Sequence, residues 1–317
     1  MIEKQNNEGD RLSVLVVGSI ALDSIETPLG KVDEVLGGSA VYFATAASLY
    51  TNVKIVGVAG TDFPREHIDF LAGRGIDIEG LEIVAGETFR WAGRYDYERN
   101  ITETLDTRLN VFADFHPKLP STYKSCDIVF MANIDPDLQC EVLDQVPDAK
   151  LKILDTMNFW IEGKNKSLCN ALRMVDIAIM DESEVHLLSG ESNVITAARK
   201  VLDMGPKAVI VKRGKYGSIM VSDDIYFTTS AYPIEIVKDP TGAGDSFAGG
   251  LVGYLAHAKQ FTPQAVKRGM IHGTAVSSFT VSEFSIEGLR TRSRNDIIDR
   301  YRELWRFTYF DNEESIL

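Results

Sequence analysis

The stretch DPTGAGDSFAGG, residues Asp239–Gly250, places a carboxylate directly behind two closely spaced glycines. The residues that follow have an apolar face at helical spacing, formed by Phe247, Leu251 and Leu255, and so predict a helix. The first N–H groups of a helix have no intrahelical partner and carry the positive end of its dipole, so they attract anions. Small residues also let a ligand approach the backbone closely. The stretch therefore predicts either an anion-binding helix start or an ordinary glycine-rich turn.

Asp245 is the group in this stretch that could do chemistry. Because it lies in the predicted first turn, the helix dipole favours its charged form, and we expect it to be ionised. It could accept the proton of an attacking hydroxyl while the helix start holds a phosphoryl group, since phosphoryl transfer needs mostly positioning and charge neutralisation. Alternatively, Asp245 only stabilises the helix, by about 0.3–1 kcal/mol. Both alternatives stay open on local physics.

Other common catalytic signatures are missing from the sequence. It contains no P-loop, no H-E-x-x-H and no G-x-S-x-G, and its five histidines do not pair at metal-ligand spacing. GAGDSF has only two of the three glycines of a dinucleotide fingerprint, and Pro240 separates it from any preceding strand. A nicotinamide-dependent dehydrogenase is therefore the weakest interpretation.

The elements that must position this stretch are short apolar runs that alternate with helical runs. The apolar runs are SVLVV, NVKIVGVAG, DIVFMAN, KILD, DIAIMD and KAVIVKRG, and a loop is expected after the first of them. Strands of this kind, alternating with helices, predict an α/β fold with a mainly parallel sheet covered on both faces. The segment from Gly80 to Phe115 instead alternates and is rich in aromatic and β-branched residues. It predicts a small β-lid, a dimer surface or a decorated edge hairpin.

Composition excludes several classes of partner. With a net charge of −13 and a pI near 4.9, the chain would be repelled by nucleic acid and by anionic membranes. The three cysteines form no Cys-x-x-Cys pair, and the N-terminal stretch is polar and acidic rather than a secretion signal. No apolar run approaches the roughly 18 residues of a membrane helix. We therefore expect a cytoplasmic protein with a small-molecule ligand.

The sequence as a whole resembles the ribokinase-like (PfkB) family of sugar and nucleoside kinases, over about Leu12 to Leu304. DPTGAGDSFAGG is close to the C-terminal signature of that family, and VLGGSAVYFATAASL resembles its N-terminal signature. VVGSIALD, VKRGKYGS and MDESEV resemble its first strand, its nucleotide-binding turn and its Asn-x-x-Glu element. The resemblance implies one three-layer α/β/α domain over residues 1–317, with lid segments at about 19–36 and 80–115.

The resemblance also implies roles for residues on the acceptor side. Asp245 would be the catalytic base, and the backbone N–H groups of Gly242, Ala243 and Gly244 would form an anion hole. Asp23 would bind acceptor hydroxyls. The same pocket would be lined by Gly37, Gly38, Tyr42 and Asn158. Without the resemblance, Asp23 could equally be a loop-capping aspartate and Asn158 a plain turn residue.

A second set of implied roles concerns the nucleotide and ions. The residues that would bind ATP are Lys212, Gly214, Gly217 and, near adenine, His272. Glu184 would organise Mg²⁺ through water, and Asp239 with Thr241 matches a position for a monovalent cation such as K⁺. Without the resemblance, residues 212–217 could be an ordinary hairpin turn and His272 a structural histidine. Glu184 could be a solvated glutamate, and Asp239 with Thr241 could be a strand-end turn.

The sequence departs from the family pattern at two positions. Tyr42 stands where an Asn often helps to hold the acceptor, and Asp181 replaces the Asn of Asn-x-x-Glu. Aromatic walls suit sugars and nucleobases. The aromatic residues that could line the acceptor side are Tyr42, Phe43, Trp91, Phe159 and Trp160. Of these, we expect Phe43 and Phe159 to lie in the core.

The sequence thus predicts an ATP-dependent kinase that phosphorylates a hydroxymethyl group of a sugar. A nucleoside acceptor, with its base against Tyr42 or Trp91, is the alternative within the family. From another class, the chain could be a sugar or nucleoside sensor that has lost turnover. The exposed β-lid is a candidate homodimer surface.

Overall fold

The computed structural model describes residues 12–97, 101–223 and 225–310. The polar N-terminal stretch, which differs in sequence from a secretion signal, lies outside these ranges. Within them, the chain forms one nine-stranded sheet and one four-stranded sheet. None of the helices in these ranges combines the length and the apolar character that crossing a bilayer requires.

The larger sheet has the strand order β13-β12-β11-β10-β9-β8-β1-β4-β5. Its strands are β1 Val14–Val17, β4 Val53–Gly60, β5 Ile76–Val84, β8 Ile128–Met131, β9 Leu151–Asp155, β10 Ile177–Asp181, β11 Ala208–Lys212, β12 Ser218–Ser222 and β13 Tyr226–Thr229. The pairs from β5 through β11 are parallel, and β12 and β13 add an antiparallel edge. This confirms the predicted mainly parallel sheet.

Helices cover both faces of this sheet, because its strands are apolar on both sides. The helices are α1 Ser39–Ala47, α2 Arg65–Gly73, α3 Pro136–Gln145, α4 Asn158–Gly163, α5 Asn165–Arg173, α6 Glu182–Ser189, α7 Val194–Leu202, α8 Ala243–Ala258, α9 Pro263–Thr280, α10 Glu287–Arg290 and α11 Arg294–Thr308. Along β1, Val14 and Val16 face the core shared with α1 and α8, while Leu15 and Val17 face the core shared with α3, α5 and α7. The result is the predicted three-layer architecture.

The smaller sheet has the order β3-β2-β6-β7. Its strands are β2 Ala21–Thr27, β3 Gly30–Gly37, β6 Phe89–Asp96 and β7 Ile101–Arg108. Two expectations need correction here. The run after β1 forms strand β2 rather than only a loop, and residues 80–84 belong to β5 of the larger sheet, where they pair with β4. The alternation seen from Gly80 onward therefore spans two sheets.

Candidate active site

The DPTGAGDSFAGG stretch forms the start of α8, as predicted. Gly242 is the N-cap, with φ 71° and ψ 4°, a left-handed conformation that glycine adopts without strain. A Cβ at this position would also collide with the Tyr42 ring. The Ala243 N–H donates to Pro240 C=O at 3.2 Å, so one of the three predicted anion-hole amides is engaged in a turn.

Asp245 lies in the first turn of α8, among other charged groups. Burial and the nearby Asp155 raise the pKa of Asp245 to about 8, against the opposing effect of Lys212. A pKa of about 8 favours the protonated acid at neutral pH, contrary to the expectation that Asp245 is ionised. The dipole does favour the carboxylate, but desolvation of this partly exposed acid within the site outweighs it.

Asp23, on β2, lies against Gly37 and Gly38, the two residues that precede α1. It is 4% exposed, and a Cβ at Gly37 would collide with its carboxylate. Burial and Asp239 raise the pKa of Asp23 to about 7, while an N–H donated by Gly38 opposes that rise. The structure thus brings together the three residues predicted to line the acceptor pocket at this end.

Tyr42 connects this pocket to the start of α8. It is 1% exposed, on α1, with its ring against Gly242. Its hydroxyl has no hydrogen-bond partner among the described residues. Burial raises the pKa of Tyr42, and the negative charges of Asp23, Asp239 and Asp245 contribute. An unpartnered buried hydroxyl facing acids is suited to bind a hydroxyl of a ligand, whereas the covered ring is unsuited to stacking.

Three charged side chains meet where neighbouring parallel strands end. Asp155, Asp181 and Lys212 are the last residues of β9, β10 and β11. Lys212 Nζ donates to Asp155 Oδ2 at 2.9 Å and lies 3.9 Å from Asp181 Oδ1. Burial alone would lower the pKa of Lys212, but these carboxylates and Glu184 outweigh it and raise the pKa. The lysine is therefore a fixed cation beside Gly244, whose Cβ would lie 3.0 Å from Nζ.

Sequence reasoning missed Asp155. A signal was present, since a charged residue ending a buried strand lies at the carboxyl edge of a parallel sheet, where ligands bind. Gln139 holds the Asp155 backbone by donating to its C=O at 3.0 Å.

Asp181 and Glu184 form the start of α6. Glu184 Oε2 accepts the Asp181 N–H at 2.6 Å, as in a capping box. Burial and Asp181 raise the pKa of Glu184 to about 8. Asp and Asn are equally good N-caps, so the replacement at position 181 preserves the helix start. Within the described residues, no group of three or more Asp, Glu, His or Cys side chains is arranged to hold a metal directly.

The predicted nucleotide turn follows β11. Gly214 begins a short 3-10 turn, and Arg213 N–H donates to Gly217 C=O at 2.8 Å. Gly217 has φ 90°, and a Cβ there would collide with the backbone of Thr229 on β13. The glycines thus keep a tight turn beside Lys212.

Asp239 and Thr241 form a closed turn before α8. Asp239 is fully buried, and its two oxygens accept N–H groups of Thr241 at 2.8 Å and Ser285 at 3.0 Å. The Thr241 hydroxyl shares a 2.9 Å hydrogen bond with Tyr95 of β6. Both residues are therefore satisfied within the protein.

His272 occupies a different environment from the one predicted. Its ring stacks on Tyr254 at 4.4 Å and on Tyr301 at 4.6 Å, so both faces are covered. Its Nδ1 bonds the Tyr50 hydroxyl at 3.1 Å, and burial lowers the pKa of the imidazole to about 3. The structure gives His272 a packing role between helices, which leaves no ring face for adenine.

Of the two aromatic residues expected in the core, one lies there and the other does not. Phe43 is fully buried and stacks on Phe130 at 4.2 Å, but Phe159 is 64% exposed, so the core expectation was wrong for it. Phe159 follows Asn158 at the exposed start of the six-residue helix α4, which is too short to bury both faces. Trp160 donates to Asn133 Oδ1 at 2.9 Å.

Trp91 lies on the same face of the smaller sheet as Asp23. It is directly paired with Asp23 across β6 and β2, which puts the two side chains on one face. Its partly exposed indole lies over Gly93, where a Cβ would collide with it, and donates to Thr104 Oγ1 at 3.4 Å.

The known proteins to which this chain is similar are named as kinases. The chain is 29% identical to the cytidine kinase of Thermococcus kodakarensis over 77% of its own length and 88% of the relative. It is 28% identical to the nucleoside kinase of Methanothermobacter thermautotrophicus, over 93% of this chain and 97% of that protein. A candidate ribokinase II of E. coli, solved with ATP and Mg²⁺, has the same fold, with a TM-score of 0.77 at 21% identity over 92% of this chain and 99% of that one.

Residues 11–287 match the sequence model of the pfkB family of carbohydrate kinases. The chain belongs to this family, and the prediction of a kinase is confirmed.

Proposed function

We propose, for this member of the PfkB family, ATP-dependent phosphorylation of the hydroxymethyl group of a nucleoside, with Asp245 as the base. The observation that carries the proposal is the position of Asp245. It lies at the start of α8, between the Asp23–Tyr42 pocket and the Lys212 cation. Two relatives named as cytidine kinase and nucleoside kinase support the choice of acceptor over a free sugar.

In the proposed reaction, the acceptor hydroxyl oxygen attacks the γ-phosphorus of ATP, and the bond from that phosphorus to the bridging oxygen breaks. The hydroxyl proton goes to Asp245, and ADP leaves. Lys212 and the amides at the start of α8 neutralise charge on the moving phosphoryl group. The acceptor is oriented by Asp23, which accepts its hydroxyl hydrogens, and by the unpartnered Tyr42 hydroxyl.

ATP would lie along the turn from Gly214 to Gly217. The donor set fits Mg²⁺, which binds proteins through one or two carboxylates plus waters and substrate phosphates. Glu184 and Asp181 would hold it, the former through water as the family resemblance implies. When bound, Mg²⁺ supplies charge neutralisation for the phosphates. The proposal does not extend to a monovalent cation at Asp239 and Thr241, because their side-chain oxygens already have partners within the protein.

The smaller sheet would exclude water from the acceptor, since a mobile water would otherwise compete for the phosphoryl group. Its exposed apolar side chains Leu29 and Leu105 also make it the candidate homodimer surface. Light scattering of the wild type and of Leu105→Glu tests that part: a dimer that becomes a monomer supports it, and a monomeric wild type contradicts it. A cytoplasmic setting belongs to the same proposal.

The test is a coupled ADP-release assay with ATP and Mg²⁺, with and without K⁺, over a panel of nucleosides and free sugars. We expect turnover with nucleosides and its loss in Asp245→Asn. Preference for a free sugar would move the acceptor assignment to the sugar-kinase alternative. Turnover retained by Asp245→Asn would overturn the base assignment, and ligand binding without any turnover would favour the sensor.

A further inference from the structure

Tyr95 of β6 and Tyr97, which directly follows that strand, attach the smaller sheet to the segment that leads into α8. The hydroxyls of Tyr95 and Thr241 lie 2.9 Å apart in a shared hydrogen bond. Tyr97 donates its hydroxyl proton to Lys238 C=O at 2.9 Å. Both side chains therefore face the segment 238–241.

The two attachments differ in what they hold. Thr241 is the residue before the N-cap, and its own N–H is fixed by the buried Asp239 carboxylate. It is also four residues before Asp245, separated from it by the N-cap Gly242 and two residues of α8, so a shift of Thr241 is passed to the start of α8 and to the proposed base. Lys238 lies upstream of Asp239, and Tyr97 contacts only its main-chain oxygen. The Lys238 N–H and ammonium are held separately, by Val281 C=O at 2.8 Å and Glu283 Oε2 at 2.6 Å. Tyr97 therefore docks the sheet, whereas Tyr95 acts on the turn itself.

The same strand also carries the acceptor side of the site. Trp91 of β6 pairs with Asp23 of β2, four residues before Tyr95. The charges of Asp23 and Asp239 both act on the Tyr95 hydroxyl. A single strand thus connects the residues that would contact the acceptor with the turn that positions the base.

We propose that Tyr95 is a positioning residue: its bond to Thr241 makes alignment of the α8 start depend on docking of the smaller sheet over the acceptor. The inference rests on the proposed function. The start of α8 then reaches its catalytic position only when the smaller sheet is docked over the acceptor. This dependence couples acceptor binding to phosphoryl transfer and limits transfer of the phosphoryl group to water.

Tyr95→Phe removes only the hydroxyl, and Tyr97→Phe, two residues further along the chain, is the matched control. Because the loss of one hydrogen bond at an alignment step corresponds to about five- to tenfold in rate, we expect Tyr95→Phe to lower kcat by about that factor. The KM for ATP should stay near the wild-type value, and ATP hydrolysis without acceptor should rise relative to transfer. Tyr97→Phe should keep both rates close to wild type.

Hydrogen exchange supplies a readout that does not require a known acceptor. In Tyr95→Phe the backbone amides of residues 241–246 should exchange faster than in the wild type, and in Tyr97→Phe they should not. Thr241→Val removes the same bond from its other end, so its effect on exchange should not add to that of Tyr95→Phe.

Unchanged exchange in Tyr95→Phe, or an equal increase in Tyr97→Phe, would overturn the inference even if the kinase activity is established. If no acceptor is phosphorylated but exchange behaves as expected, the proposed function fails while the coupling between Tyr95 and the α8 start stands.

Discussion

The Lys212 ammonium forms a 2.9 Å ion pair with Asp155, and it is also the first group that a side chain at Gly244 would meet. The pair thus joins the ends of β9 and β11 to the start of α8. Asp155 is 3% exposed, so its carboxylate depends on the lysine for a compensating charge. A buried pair of this kind is costly to break from one side and much less costly to remove from both.

The first prediction follows from that asymmetry. Lys212→Met should lower the free energy of unfolding by about 3–5 kcal/mol because it leaves a buried carboxylate without a cation. Asp155→Asn combined with Lys212→Met should recover much of that loss, although both should bind ATP more weakly than the wild type. Urea denaturation and nucleotide titration measure the two effects.

Lys207→Met is the control for this cycle. Lys207 pairs with Asp176 at 2.7 Å, but its side chain is 81% exposed, so its loss should cost about 1 kcal/mol or less. A double variant as unstable as Lys212→Met alone would show that the buried carboxylate is not the source of the penalty.

The second prediction concerns stability against pH. Burial raises the pKa of Asp245 to about 8, whereas an aspartate in an unfolded chain titrates near pH 4 (roughly). Between these values the folded protein keeps a proton that the unfolded chain has lost, so the stability contributed by the protonated acid is lost as pH rises through the window. Asp245→Asn has no proton to lose. Its Tm should therefore exceed that of the wild type by more at pH 8 than at pH 5.

Thermal melts at pH 5, 6, 7 and 8 test this, with the exposed Asp144→Asn as the control. A Tm difference that stays constant over this range would mean that Asp245 titrates in the folded protein much as it does in the unfolded chain.

The third prediction is the pH dependence of catalysis. A base must be deprotonated to accept a proton, so kcat/KM should rise with pH. The pKa of Asp245 is raised to about 8 and that of Asp23 to about 7, both chiefly by burial. Since the two acids interact, the rise should follow apparent values of the pair rather than either residue alone. Steady-state kinetics from pH 6 to pH 9 measure the profile, and a flat profile over this range would argue against a buried carboxylate base.

The sequence predicted the fold well because the pattern that decides it is local. Most apolar runs of the larger sheet are separated from the next by a helical run, and that alternation already implies a covered parallel sheet. The helix start at Gly242 was predictable for the same reason, since small residues and the apolar spacing after them lie within one short stretch.

The errors concern properties that depend on distant parts of the chain. Asp155 becomes part of the site only because β9, β10 and β11 are neighbours, which the order of the runs does not reveal. The packing of His272 between two rings likewise depends on α8 and α11, which supply Tyr254 and Tyr301. The local dipole predicts an ionised Asp245, but the pKa of this acid is raised because desolvation, which requires the packed structure, outweighs the dipole.

The last prediction separates the two acceptor classes through Trp91. A nucleobase has a flat face that an indole can cover, and aromatic stacking on a base contributes about 1–3 kcal/mol, or roughly 5- to 150-fold in affinity. Trp91→Leu should therefore raise the KM for a nucleoside by at least about fivefold and leave the KM for ATP unchanged. Trp91→Phe should restore most of the affinity because it keeps an aromatic face. Trp305→Phe, at a 57% exposed position on α11, controls for general effects of losing an indole. Equal nucleoside KM values in Trp91→Leu and the wild type would remove Trp91 from the acceptor site, and a matching loss with a free sugar would mean that it contacts the sugar ring rather than the base.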